Sequence, residues 1–274
     1  MPVETVGAQV SERIVRFGQF AEFFAQTARA VFTGAREWAR WERLAPQLFF
    51  IGTTSIPVIA LTGGFIGAIL AIEGWAQFAA IGQQNRLGGV INISVVKQIG
   101  PVLAAVMLAG RVGCSLAAEL GSMRVTEQID AMRAMASDPI RVLVAPRVVA
   151  CVVMIPILTV ASNLCGVFGG WVITTRLYDA NPQQYWRFTE AFISWFDVLN
   201  GLTKSLFFGL AIGVIACYKG FSCRPGAEGV GRATTEAFVS SFIALILLNF
   251  VLAKALNDFD VIVVQGGVFR SIAG

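Results

Sequence analysis

Four polar side chains, Lys97, Gln98, Asp197 and Lys204, stand inside or at the ends of long uncharged apolar runs. An ionised group in hydrocarbon is costly, so each marks a candidate pathway or binding position. A lysine ammonium is a compact point charge suited to an anionic oxygen. Apolar walls beside it accept hydrocarbon chains. Asp197 and Lys204 are two helical turns apart and share one face. Two readings follow: a structural ion pair near the membrane surface, with the lysine snorkelling outward, or the lining of a cavity. Glu73 ends the first apolar run.

A second candidate lies between apolar runs, from Glu119 to Met135. Leu120, Met123, Ile129, Met132 and Met135 recur mainly every three residues, and Glu119, Arg124, Glu127, Asp130 and Arg133 fill other positions. That pattern predicts a short amphipathic helix. Thr126 is expected to cap it, Asp130 and Arg133 to share one side, and Asp138-Pro139 to stop it. Such a helix can dock into a groove on a cytoplasmic partner or serve as a solvated link between two spans.

Several chemistries are excluded. There is no histidine among 274 residues, which removes Ser-His-Asp and Cys-His nucleophilic catalysis and every His-ligated metal. The five cysteines show no CxxC spacing, and no GxxxxGK[ST] run is present to cradle nucleotide phosphates. No catalytic residue, metal site or cofactor is expected.

Membrane helices must position these groups. Hydrophobic residues make up 56% of the chain and charged residues 14%, with a mean hydropathy of +0.70. Soluble domains carry roughly a quarter charged residues, so the solvent here is lipid. Apolar runs over 48–72, 90–118, 142–175, 198–218 and 233–256 each approach or exceed the roughly 20 residues that span a bilayer. Pro156 kinks or divides the third. Residues 8–45 interleave six arginines with aromatics such as Phe17, Phe20, Phe23, Phe24, Trp38 and Trp41, the pattern of a helix lying in the interface. The first 45 residues lack a continuous apolar stretch, so no cleavable signal peptide is expected.

The expected fold is all-α and integral to the membrane: an N-terminal interfacial helix over 1–47, about five transmembrane helices over 48–258, and an external tail over 259–274. Fourteen lysines and arginines fall on the side of the N-terminus and the 2–3 and 4–5 connections, against five on the other side. The positive-inside rule then makes the N-terminus cytoplasmic. Gly63 with Gly67, Gly166 with Gly170 and Gly209 with Gly213 have the small-xxx-small spacing of close helix contacts. The connection from Tyr178 to Phe196, with Trp186 and Trp195, has the composition of an interfacial belt. A pI near 9.0 points to anionic lipid rather than nucleic acid.

The run GPVLAAVMLAGRVGCSLAAELGSMRVTEQIDAM resembles the MlaE-type permeases, the family that includes the YrbE proteins of Mce systems and the chloroplast lipid-import permease. Gly-Arg-Ala-Thr-Thr at 231–235 matches a second signature, and the resemblance covers about residues 10–258. It implies a homodimeric permease of the inner membrane that moves phospholipid to or from an external Mce-domain carrier. A separate ABC ATPase would drive it, with a small cytoplasmic STAS-domain subunit as a further partner. It also implies that residues 119–136 form the coupling helix. Glu119, Arg124, Glu127 and Asp130 would be its polar contacts, Met123 and Met132 the greasy ones, and Thr126 lies among them. Positions matching Lys97, Gln98 and Ile99 line a lipid cavity in that family, with Asp197 and Lys204 as further candidates. Many relatives carry an acidic residue where Gln98 stands. The alternatives are an ATP-independent transporter or channel, and a scaffold subunit with no transport pathway.

Overall fold

The computed structural model describes the backbone of residues 3–34 and 38–260, and the side chains of 15, 17–34 and 38–260. The side chains of Arg13, Arg16 and Arg36, and the tail carrying Arg270, lie outside the described residues. Every regular element described is a helix.

Helix α1, Val3–Thr33, precedes α2, Trp41–Thr53, and α3, Ile56–Ala80. The expected boundary at residue 47 falls inside α2, because Pro46 is accommodated within that helix. The chain breaks instead at Thr54–Ser55, just before Pro57 at the start of α3. Proline fits a first turn because its missing N–H would have no partner there.

The second membrane-length helix runs Gln84–Val125 rather than 90–118. It comprises α4 (Leu87–Ser94), α5 (Gly100–Leu108) and α6 (Cys114–Val125), joined by widened π turns at Val95–Ile99 and Ala109–Gly113. Its 42 residues extend about 60 Å, twice the roughly 30 Å hydrocarbon core, so the helix is longer than a span requires. A short helix α7, Gln128–Ala134, follows. A π turn at Ile140–Val144 leads into α8, Ala145–Arg176. Pro156 lies within α8 without dividing it, so the third span is one helix. Helix α9, Pro182–Phe192, connects to α10, Trp195–Phe221, and α11, Ala227–Asp260, completes the chain. Among the described residues, five helices are long and apolar enough to cross a membrane.

Helix α8 is the centre of the bundle, and glycines let its neighbours approach. A Cβ on Gly67 would stand 1.8 Å from the Gly166 carbonyl oxygen, and one on Gly63 would stand 2.5 Å from that of Ser162. On the other face, a Cβ on Gly209 would meet the Cys151 carbonyl oxygen at 2.8 Å, while one on Gly213 would lie 3.2 Å from the Val148 Cα. The small-residue spacings therefore mark two faces of α8 contacts, where dispersion rather than hydrophobic expulsion holds helices together. Ile51, Ile59, Leu108, Leu116, Ile155, Phe208 and Ile212 fill the core between them. Helix α11 is far less enclosed, leaving Ile243, Leu247, Phe250 and Val251 exposed.

Candidate functional site

The π turn at Val95–Ile99 carries Lys97 and Gln98 into the bundle, well inside the second helix rather than at its opening. Single π turns recur at functional positions because they re-aim side chains. Helix α10 presses against this turn: a Cβ on Gly201 would lie 2.4 Å from the Val96 carbonyl oxygen. Asp197 and Lys204, two turns apart on α10, thereby both face it.

They do not pair with each other. Lys97 Nζ lies 2.9 Å from Asp197 Oδ1 and 3.9 Å from Asp260 Oδ2. Asp197 also accepts from the Ser194 backbone N–H at 3.0 Å and the Ser194 hydroxyl at 2.9 Å, which starts α10 with a capping box. Lys204 is turned inward, at 2% exposure, so outward snorkelling is excluded. Its Nζ donates to Gln98 Oε1 and to the Lys97 main-chain oxygen at 3.3 Å. Pro101 explains that second contact. It stands four residues after Lys97 and has no N–H to return to this carbonyl. Gln98 Nε2 in turn donates to Asn249 Oδ1 of α11 at 3.3 Å.

These groups open onto a cleft of about 500 Å³ between α4, α10 and α11. Lys97, Gln98, Lys204, Asn200 and Lys254 are on its wall. Asn200 is buried and its Oδ1 has no hydrogen-bond partner. Ile99 is half-buried on the same turn and is not on that wall. Asp197 stands behind Lys97 and positions it. Sequence reasoning missed Asn200 and Asn249. The signal for Asn200 was its place on the face shared by Asp197 and Lys204, at the three- and four-residue spacings.

The second candidate, 119–136, is not a single helix. Helix α6 ends at Val125 and α7 starts at Gln128, with Glu127 between them in the left-handed region at φ 58°. Thr126 does not cap α7; its hydroxyl donates back to the Ser122 carbonyl at 2.8 Å and finishes α6. The corner is held by Asp130, which takes Arg124 Nη1 at 2.7 Å and Arg133 Nη1 at 3.2 Å. Helix α7 stops at Ala134, and Asp138 instead begins the next helical segment by accepting from the Ile140 N–H at 2.9 Å.

Glu119 pairs with the buried Arg147 of α8 at 3.2 Å, an internal tie of the corner to the bundle. Met123 packs against the cluster of Phe23, Leu120, Val144 and Val148, while Met132 is half-buried. Glu127 is exposed, and so is Met135, at 72%. The outward surface is thus Glu127, the Asp130 triad and Met135. Periodicity alone does not single out Met135, because a turn at 126–127 rotates α7 relative to α6.

At the end of the bundle nearest Asp197, α9 lies over α4. Tyr185 OH donates to Asn92 Oδ1 at 3.0 Å, and Asn92 Nδ2 donates to Thr189 Oγ1 at 2.9 Å. Burial pushes the Tyr185 phenol up to about 12. Trp75 and Tyr178 stack at 4.6 Å, and Trp195 is 82% exposed, in keeping with an aromatic belt.

Residues 44–255 match the family model described as Permease MlaE, which takes in all five membrane-length helices in whole or large part. The chain belongs to the MlaE permease family. Among relatives of this MlaE-family chain, a probable ABC transporter permease protein of Rickettsia felis is 38% identical over 250 residues, covering 91% of this chain and 96% of the relative. The intermembrane phospholipid transport system permease protein MlaE of Haemophilus influenzae is 34% identical over 210 residues, 76% of this chain and 80% of the relative. The chloroplastic protein TRIGALACTOSYLDIACYLGLYCEROL 1 of Arabidopsis thaliana is 32% identical over 214 residues, 78% of this chain and 61% of the relative. This MlaE-family permease is thus a multi-pass membrane protein whose polar cleft and charged corner both lie within the matched residues.

Proposed function

We propose that this chain is the permease subunit of an ABC transporter that moves phospholipid between the inner membrane and an external Mce-domain carrier. Two copies form the transport unit, and a separate ATPase binds the α6–α7 corner on the cytoplasmic side, where the N-terminus also lies. A STAS-domain subunit is a further cytoplasmic partner. The observation that carries the reading is Lys204, a buried ammonium whose hydrogen-bond acceptors among the described residues are both neutral, on the wall of a cleft that also holds Lys97, Lys254 and Asp258. A buried charge without an opposite charge is costly, and a lipid phosphate would offset that cost. The corner supports the ATPase assignment: its internal ties leave Glu127 and Met135 free for a groove on another protein. The names borne by the relatives agree with both assignments.

The test is purification of the tagged chain from native membranes in mild detergent, with co-purifying proteins and lipids identified by mass spectrometry. An ATPase lost on Glu127→Lys and a phospholipid lost on Lys204→Met are expected. A chain that emerges without an ATPase under several detergents, and whose Lys204→Met variant retains lipid as well as wild type, would favour a scaffold subunit.

A further inference from the structure

At the end of the bundle opposite Asp197, a larger cleft of about 800 Å³ lies between α1, α10 and α11. Its apolar lining is Phe17 and Phe20 of α1, Ile215 of α10, and Ile243 and Leu247 of α11, with Gln19, Tyr218 and Ser240 beside them. Among the described residues its rim holds Lys219, Arg224 and Arg232 with one carboxylate, Glu236. Glu236 is already shared, accepting from Lys219 Nζ at 3.0 Å and Arg232 Nε at 3.1 Å. Arg224 is exposed and makes no ion pair among the described residues. The described residues of the rim therefore carry a surplus of two positive charges.

We infer that this cleft binds one anionic phospholipid of the leaflet at the α10–α11 turn, with its head group on Arg224, Lys219 and Arg232 and an acyl chain running toward Leu247. Depth supports that occupant. Glu236 and Leu247 are eleven residues apart on α11, about 16 Å along the helix, close to half of the roughly 30 Å hydrocarbon core. A basic rim above one leaflet's depth of apolar wall matches a charged head group joined to a fatty chain. Each juxtamembrane cation contributes about 1 kcal/mol toward anionic lipid, close to a fivefold change in binding. The inference depends on the transporter reading only for naming this leaflet the cytoplasmic one; ATPase recovery and the Lys204 cleft are separate readouts.

The full chain, stripped of lipid in detergent, is titrated with phosphatidylglycerol and with phosphatidylethanolamine and followed by native mass spectrometry. Wild type is expected to retain phosphatidylglycerol at least about fivefold better, and Arg224→Gln to lower that retention about fivefold. The same titration on Lys204→Met leaves the Arg224 effect in place. A photo-crosslinking residue at position 247, placed in native membranes, is expected to label phospholipid. Labelling of a second copy of the chain, or of nothing, overturns the site, as does retention unchanged by Arg224→Gln.

Discussion

Lys204 Nζ donates to the main-chain oxygen of Lys97 at 3.3 Å, an oxygen for which Pro101 supplies no helical N–H. The two lysines meet at one turn yet are answered differently. Lys97 has a carboxylate, Asp197, at 2.9 Å, whereas Lys204 has an amide oxygen and a carbonyl. The first arrangement is a closed ion pair. The second leaves a cation poised for an incoming anion.

Removing Lys97 leaves a buried carboxylate, and removing Asp197 leaves a half-buried ammonium with Asp260 at 3.9 Å. Asp197→Asn and Lys97→Met are each expected to lower thermal stability, and together to cost less than their sum. A coupling of about 1–3 kcal/mol is expected from a double-mutant cycle on detergent-solubilised protein. Strict additivity would show that the contact contributes nothing.

Lys204 should behave in the opposite sense. Lys204→Met removes a charge that has no ion-pair partner among the described residues, so melting is expected to hold or rise while bound phospholipid falls. Gln98→Glu would place a carboxylate against Lys204 and is expected to raise the melting temperature while lowering phospholipid retention. A large loss of stability in Lys204→Met would assign the lysine a purely structural role.

Glu127 separates folding from docking. A non-glycine residue in the left-handed region costs roughly 1–2 kcal/mol, so Glu127→Gly is expected to preserve or improve stability. If the side chain meets the ATPase, the same variant loses ATPase recovery and ATP-driven lipid movement. Full recovery of the ATPase with Glu127→Gly would remove this residue from the interface.

The crossing of α3 and α8 gives a packing control. Gly67→Ala is expected to destabilise by about 1–3 kcal/mol, because its methyl meets the Gly166 backbone. Gly64→Ala should be tolerated, since its Cβ would stand 3.7 Å from the Cys165 carbonyl oxygen. Equal yields and melting points for the two would contradict the crossing.

Tyr185 predicts an alkaline transition. Its folded-state phenol is raised above the ordinary value of 10 to about 12, so folding favours the protonated form. That contribution is present below pH 10 and is lost as the pH rises toward 12. Melting curves between about pH 9 and pH 12 should show the loss in wild type and a smaller one in Tyr185→Phe. Near neutral pH, the phenylalanine variant should cost about 1 kcal/mol through the unmade bond to Asn92.

Much of this architecture is written in one dimension. Apolar runs longer than a bilayer is thick must become helices, because lipid offers backbone groups no alternative hydrogen-bond partner. Five such helices, the small-residue crossings and the polar character of positions 97, 98, 197 and 204 follow from residue type and spacing alone. So does the charged corner, whose residues are too polar for the runs that flank them. What only the tertiary structure decided is which of these groups answer one another. Seven-residue spacing puts Asp197 and Lys204 on one face of α10, but the π turn opposite determines that Asp197 takes Lys97 and Lys204 takes Gln98. Three-residue spacing suggests one helix over 119–136, but a left-handed Glu127 bends the chain and turns Met135 rather than Met123 outward. Local sequence sets helix formation through contacts within a turn or two. The pairing of buried charges depends on residues about a hundred positions apart, and no local spacing encodes them.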